Sequence, residues 1–223
     1  MAVTTPEVVK ANIVLVGIRL LSAPEEVEAF RRAIATEVQI AGAGLATNIQ
    51  SGITEPQFVL TLNRDRITLE LSPSRSAINR DYPLREDLPR LAEVAGQAID
   101  NTSEDEQVLR AFGFNIELVF DQDSDAPAYG YLSRRLFAVD GLGSEGWRFI
   151  GGAGKLIFED GGQRWTVALE PRFGDETEAR VFLSVNLHKA RQSLPTEHEI
   201  RDAFQEVWDE VHDFVKRLDE RGP

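Results

Sequence analysis

The segment that decides the fold reads Lys155-Leu-Ile-Phe-Glu-Asp160, then Gly161-Gly162, then Gln163-Arg-Trp-Thr-Val-Ala-Leu-Glu170. Both arms carry the β-branched and aromatic residues that favour strands, and a glycine pair separates them. Adjacent glycines supply the positive φ angles that a two-residue primed turn requires. The segment therefore predicts an antiparallel β-hairpin.

The C-terminal part of the chain predicts one more strand and a long helix. Residues 180–187 are rich in Val and Leu and form the strand, and the capping box Thr196-Glu-His-Glu199 begins the helix, residues 196–218. Along this helix, apolar residues recur at alternating spacings of four and three, which predicts one buried face. That stripe consists of Ile200, Phe204, Val207, Val211, Phe214 and Leu218.

A similar order of strands and helices is predicted in both halves of the chain. In the second half, a strand at residues 114–120 and a helix that starts at Asp125 and Pro127 precede the hairpin. In the first half, Asp87 is expected to cap the second helix. The predicted elements of the first half are a strand at residues 12–20, a helix at 24–38, a hairpin at 58–71 and a helix at 88–99.

Together these elements predict an α+β protein of two similar β-α-β-β-α-like units, each a mostly antiparallel sheet backed by helices. Hairpins dominate the connections, which disfavours a doubly wound parallel sheet. The joint near residues 101–113 divides the chain into a first unit, residues 1–108, and a second, residues 109–223. A chain of 223 residues can bury a large core, and we expect the units to pack as one compact domain.

Two segments carry a family resemblance. The first is Arg66-Ile-Thr-Leu-Glu-Leu-Ser-Pro73, followed by Tyr82 and the helix that ends at Ile99. The second is Val181-Phe-Leu-Ser-Val-Asn-Leu-His188, followed by Val207-Trp-Asp-Glu-Val-His-Asp-Phe-Val215. Both resemble parts of a sporadically distributed bacterial protein family of unknown function. The resemblance implies a cytoplasmic bacterial protein without an assigned activity, and it carries over no functional residue.

The amino-acid composition excludes several classes of function. The chain has no cysteine, which excludes thiol catalysis, thiolate zinc sites and iron–sulfur clusters. Its 37 acidic and 24 basic residues give a net charge of −13, and a field of that sign repels phosphate backbones and anionic lipids. We therefore expect no nucleic-acid partner and no membrane partner. Because no signal-peptide pattern and no long apolar run is present, the sequence predicts a soluble, cytoplasmic protein.

Two glycine-rich segments have the composition of phosphate-binding loops but lack their context. Gly141-Leu-Gly-Ser-Glu-Gly146 follows a helix pattern and precedes a strand pattern, whereas a dinucleotide-binding loop links a strand to a helix. Gly151-Gly-Ala-Gly-Lys155 is followed by Leu156, where a nucleotide-binding loop needs a hydroxyl group for magnesium. Both segments are interpreted as turns, and the sequence predicts no cofactor.

The carboxylates and histidines do not have the spacing of a metal site. Asp121, Asp123 and Asp125 alternate as in a calcium-binding loop, but Leu132 stands where that loop needs a bidentate glutamate. No two histidines are three or four residues apart, the spacing that places two ligands on one helical face. The histidines are His188, His198 and His212. The sequence therefore predicts no metal site and no catalytic residue.

Trp208 is the residue that the sequence singles out for binding. It lies beside the apolar stripe of the last helix, and tryptophans in such positions can anchor protein partners. The first hypothesis is therefore a protein-binding or scaffold module that uses Trp208 for a protein partner or for self-association. The alternatives are an acidic inhibitor or immunity-type partner of a basic toxin or nuclease, and an enzyme with a carboxylate-based site.

Overall fold

The structure, a computed structural model, describes residues 6–47, 54–103, 111–122, 128–136, 154–160, 163–172, 179–189 and 193–220. In these ranges the chain forms a nine-stranded antiparallel sheet and four helices, which confirms the α+β class. The strands are β1 (Glu7–Val16), β2 (Gln39–Thr47), β3 (Thr54–Leu62), β4 (Ile67–Leu71), β5 (Arg75–Asp81), β6 (Ala111–Asp121), β7 (Gly154–Asp160), β8 (Gln163–Pro171) and β9 (Arg180–Lys189). The helices are α1 (Pro24–Ala33), α2 (Leu88–Asp100), α3 (Ala128–Leu136) and α4 (Glu197–Glu220). None of these helices combines the length and the apolar character that crossing a bilayer requires.

The strands follow the order β2-β3-β4-β5-β1-β6-β9-β8-β7 across the sheet. The first strands of the two halves, β1 and β6, are therefore neighbours at its centre, and β2 and β7 are its edges among the described strands. In the central pair, Asn12 lies opposite Asn115, and Ile13 lies opposite Phe114. The two halves of the chain thus share one sheet.

The apolar core lies between the sheet and the helices. Alternate residues of each strand face this core, as expected for an antiparallel sheet with one covered face. Phe114 of β6 packs edge-on against Phe204 of α4, with 5.2 Å between the ring centroids. The central strands contribute Ile13, Leu15, Ile116, Leu183 and Val185, which are all at most 1% exposed.

Helices α2 and α4 pack against each other in antiparallel orientation. Arg85, just before α2, donates to the Asp209 carboxylate in the middle of α4 at 2.8 Å. Gly96, near the end of α2, faces Glu197 at the start of α4. A Cβ atom at Gly96 would lie 2.8 Å from the Glu197 Cβ and 3.3 Å from its Cα, so a side chain there would push the two helices apart.

We expect Gly96→Ala to lower the free energy of unfolding by about 1–2 kcal/mol, because the overpacking outweighs the better helix propensity of alanine. Gly42→Ala is the matched control, since a Cβ at Gly42 would meet no atom within 4 Å. Urea denaturation of both variants measures the difference. A Gly96→Ala protein as stable as the wild type would show that α4 does not approach α2 this closely.

Most predicted elements are present, but the bounds of the first two differ. The strand expected at residues 12–20 is β1, Glu7–Val16, and it ends before Gly17 and Leu21, whose φ angles are 89° and 51°. The helix expected at residues 24–38 ends at Ala33, because Ala35 has a left-handed φ of 50°. At α4 the predicted capping box is confirmed, since the Thr196 N–H donates to the Glu199 carboxylate at 2.9 Å.

Strand β5 is absent from the sequence prediction, so the first half holds more strands than the β-α-β-β-α plan. Its polar residues obscure the apolar alternation, although Ser76 is fully buried. The Ser76 hydroxyl accepts from the Leu20 N–H at 3.0 Å and donates to the Ile18 carbonyl at 2.9 Å. Its polarity is therefore used to fix the connection that follows β1.

Asp87 does not cap α2 through its side chain, contrary to the prediction. Its carboxylate accepts instead from the Leu84 N–H and from the Arg80 guanidinium, both at 2.9 Å. Burial alone would raise the pKa of Asp87, but these hydrogen bonds outweigh burial and hold the pKa below its ordinary value. Asp87 thus stabilises the short 3-10 turn that leads into α2.

Candidate functional site

A groove of about 1100 Å³ lies on the helix side of the sheet, between α4, the end of α3 and strands β7 to β9. Its floor is apolar. Leu156 and Phe158 come from β7, Trp165 comes from β8, and Phe214 comes from α4. Phe158 lies opposite Trp165 in the hairpin register, so the two aromatic side chains are adjacent on this floor.

Large apolar side chains remain accessible in this groove. Phe158 is 48% exposed, and Trp165 and Phe214 are each partly buried against the core. Accessible aromatic side chains that lie side by side in a groove can mark an interaction site. The sequence prediction placed Phe214 in the buried stripe with five other residues; those five are buried, whereas Phe214 borders the groove.

The α4 side of the groove is acidic. Its lining includes Glu206, Asp209, Glu210, Asp213 and Glu220, together with the basic Arg217. Helix α4 as a whole has nine acidic and three basic side chains, a net charge of −6 within the −13 of the chain. The groove therefore combines an apolar floor with a negatively charged wall.

Some of these carboxylates have basic partners. Glu206 binds the Lys189 ammonium at 3.2 Å, and Glu210 binds the Arg217 guanidinium. Asp209 accepts from the Arg85 guanidinium. Within the described ranges, Asp213 has no basic partner. Glu220 has none there either, so neither of these two carboxylates forms an ion pair with a described basic residue.

Trp208 does not line the groove. It is partly buried against the core, and its indole stacks on the His212 imidazole with 5.1 Å between the centroids and 26° between the planes. The His212 Nδ1 donates to the Trp208 carbonyl at 2.7 Å. The binding role of Trp208 stays a prediction.

The remaining candidate residues that the structure describes lie on different elements: His188 on β9, His198 on α4 and Asp121 on β6. His198 is exposed and pairs with Asp202 at 3.3 Å, and His188 lies in β9 opposite Gly113. Asp121 contacts Arg180 at 3.1 Å, whereas residues 123 and 125 lie outside the described ranges. So do residues 141–146 and 151–153 of the glycine-rich segments. In the part of the chain that the structure describes, no three His, Asp or Glu residues are close enough to hold a metal ion.

The face of the sheet opposite the helices carries a row of asparagines across the four central strands. Asn79, Asn12, Asn115 and Asn186 lie opposite one another in register. Asn186 donates to the Asn115 Oδ1, and Asn115 donates to the Asn12 Oδ1 at 2.5 Å. Asn79 donates instead to the Glu70 carboxylate at 3.2 Å. Because these amides have partners within the sheet, we interpret the row as part of the sheet structure and not as a ligand site.

The sequence pattern alone did not predict the groove, which Trp165 lines and Trp208 does not. The available indication was the hairpin segment itself, in which Phe158 and Trp165 are at equal distance from the glycine pair and must share a face. The sequence matches no known protein-family model, and no curated protein is significantly similar to it.

Proposed function

We propose that the chain is a protein-binding module whose groove takes a basic, amphipathic segment of a partner protein. The observation that carries this proposal is the exposed aromatic floor beside the acidic wall of α4. An apolar helix face laid into a hydrophobic groove is one of the recurring modes of peptide recognition.

The floor supports an apolar contact. Phe158, Trp165 and Phe214 offer three aromatic side chains that are at least partly accessible. Burying such side chains stabilises a complex by roughly 25 cal/mol for each Å² of apolar surface removed from water. The stretch of α4 between Glu206 and Glu220 rises about 21 Å, which matches about four turns of a bound helix.

The wall supports a basic partner. Lysine and arginine side chains can lay their apolar stems on the floor and place their charges beside Asp213 and Glu220. The net charge of −13 would also attract a basic segment at long range and speed its association. Binding should therefore weaken as salt concentration rises.

A calorimetric titration with an amphipathic helical peptide of leucine and lysine tests the proposal. We expect this peptide to bind and a counterpart with glutamate in place of lysine not to bind. The double variant Asp213→Lys/Glu220→Lys should weaken binding about tenfold or more. The matched control Glu25→Lys/Glu28→Lys makes the same change in net charge on α1 and should bind as the wild type does. Equal binding of both peptides, or equal weakening by both variants, would refute the assignment.

The acidic inhibitor or immunity-type partner of a basic toxin or nuclease is the second candidate. The concentration of acidic residues on α4 supports it. The two candidates differ in the floor, because a partner held by charge alone would not need Phe158 or Trp165. Phe158→Ser should therefore weaken binding of an amphipathic segment and leave a purely electrostatic complex unchanged.

The same proposal includes an internal duplication, with one unit at residues 1–108 and the other at residues 109–223. The strand order supports it, since β1 and β6 meet at the centre and each is flanked by the last strand of its own half, β5 or β9. The antiparallel pairing of α2 with α4, which follow these strands, supports it as well.

We also place the protein in the bacterial cytoplasm, as the family resemblance implies.

A further inference from the structure

We propose that the edge strand β7 pairs with β7 of a second copy of this chain, antiparallel about a twofold axis at Ile157. Among the described residues, β7 pairs only with β8, on its inner side. Within the described ranges its outer side is thus an unpaired strand edge, the kind of surface that takes up another strand. Ile157 is 58% exposed on this strand.

The sequence of β7 is complementary to itself in this register. With Ile157 opposite its copy, Lys155 of each chain lies opposite Glu159 of the other, and Leu156 lies opposite Phe158. Opposite charges that face each other across a strand pair stabilise it, and so do paired apolar residues. The twofold axis makes each of these contacts twice.

The charges are placed for this pairing on the exposed face of the strand. Glu159 already accepts from the Arg164 guanidinium of its own chain at 2.7 Å, and both side chains are more than half exposed. Lys155 is exposed as well, and no ion pair within the described ranges involves it. The ammonium of the second copy would therefore add a second cation beside Glu159.

The other edge strand is less suited to self-pairing. β2 also exposes large apolar residues, Ile40 at 63% and Leu45 at 76%. It has no charged residue that could set a register, and its pairing with β3 is irregular between Ile40 and Gly42. A bulge of this kind twists an edge away from regular pairing.

The dimer does not depend on the proposed function, because the strand pairing needs no contact with the acidic wall of α4, although Leu156 and Phe158 belong both to the strand pair and to the groove floor. A single seven-residue strand pair is a small interface, so we expect a concentration-dependent dimer with micromolar affinity. Because β7 also lines the groove, the two grooves of the dimer would flank the same axis.

Sedimentation velocity on the wild type and on two charge variants tests the register. The wild type should dimerise as its concentration rises from about 1 to about 300 µM. Lys155→Glu leaves only acidic residues at the two positions, and Glu159→Lys leaves only basic ones. Each variant alone should therefore dimerise with an affinity lower than that of the wild type by about tenfold or more. An equimolar mixture of the two variants should recover the dimer, because every charge then faces its opposite.

Ile40→Lys on the other edge is the matched control, and its dimerisation should equal that of the wild type. A wild type that stays monomeric at about 300 µM would overturn the proposal. So would a dimer that Lys155→Glu leaves intact, or a mixture no more dimeric than its components. Recovery on mixing cannot arise from misfolded chains, so it separates the pairing from a loss of structure.

Discussion

Phe204→Ala should lower the free energy of unfolding by about 3–5 kcal/mol, the cost of removing a large aromatic side chain from a packed core. Phe204 is fully buried on α4 and packs edge-on against Phe114, which in turn packs edge-on against Phe112. The substitution removes this contact and leaves a cavity between α4 and the centre of the sheet. Urea denaturation measures the loss, which is a large part of the stability of a typical domain.

Two neighbouring aromatic residues on α4 are the controls. Trp208→Ala should cost clearly less than Phe204→Ala, because the tryptophan is only partly buried and stacks mainly on His212. Phe214→Ala should also cost less, since one side of this residue faces the groove. If Trp208→Ala were as destabilising as Phe204→Ala, with assembly and binding unchanged, Trp208 would be a core residue and its predicted binding role would be lost.

Glu26→Gln should lower the free energy of unfolding at neutral pH by about 2–3 kcal/mol, because hydrogen bonds to a buried charged group are lost or weakened. The Glu26 side chain is only 5% exposed at the start of α1. Its carboxylate accepts from the Ser103 N–H at 2.7 Å, the Ala23 N–H at 3.1 Å and the Ser22 hydroxyl at 3.2 Å. It therefore ties the beginning of α1 to the segment after α2.

The stabilisation by the Glu26 carboxylate should depend on pH and be lost in acid. Burial alone would raise the pKa of Glu26, but the hydrogen bonds from Ser103, Ala23 and Ser22 outweigh burial and hold the pKa below its ordinary value. The stabilisation is therefore complete above the unfolded-state pKa of about 4.3 and is lost as the pH falls through the folded-state value. Glu26→Gln should remove this part of the acid sensitivity.

Urea denaturation of the wild type and of Glu26→Gln at neutral pH and at about pH 3 measures the contribution of this carboxylate to the free energy of unfolding. Glu28→Gln is the matched control, because Glu28 is 57% exposed on the same helix and makes only surface contacts with arginines. That variant should resemble the wild type at both pH values. A Glu26→Gln protein with unchanged stability at neutral pH would show that the carboxylate does not hold α1.

The elements that the sequence predicts well are those whose apolar periodicity is not interrupted by buried polar residues. The β7–β8 hairpin and the long stripe of α4 are both present, because turn chemistry and apolar spacing indicate the same structure. Strand β5 could not be predicted in this way. Its buried Ser76 serves a distant backbone segment, so its composition does not resemble that of a strand.

The groove could not be predicted because it depends on which flank of α4 its neighbours leave open. The apolar stripe indicates that one face of α4 is buried. It does not indicate which part of α4 the neighbouring helix α2 covers. Close packing at Gly96 brings the end of α2 against Glu197 at the start of α4, and Phe214 lies on the side of α4 that lines the groove. Phe214 therefore borders the groove, although periodicity alone places it in the buried stripe.

The fluorescence of a single tryptophan tests the central claim most directly. The chain has three tryptophans, and the variant Trp147→Phe/Trp208→Phe leaves Trp165 on the groove floor as the only one. Titration with the leucine and lysine peptide should shift its emission to shorter wavelengths, because the bound peptide removes the indole from water, and high salt should reverse the shift. An unchanged emission at a peptide concentration that saturates binding in calorimetry would place the partner elsewhere and contradict the groove as the binding site.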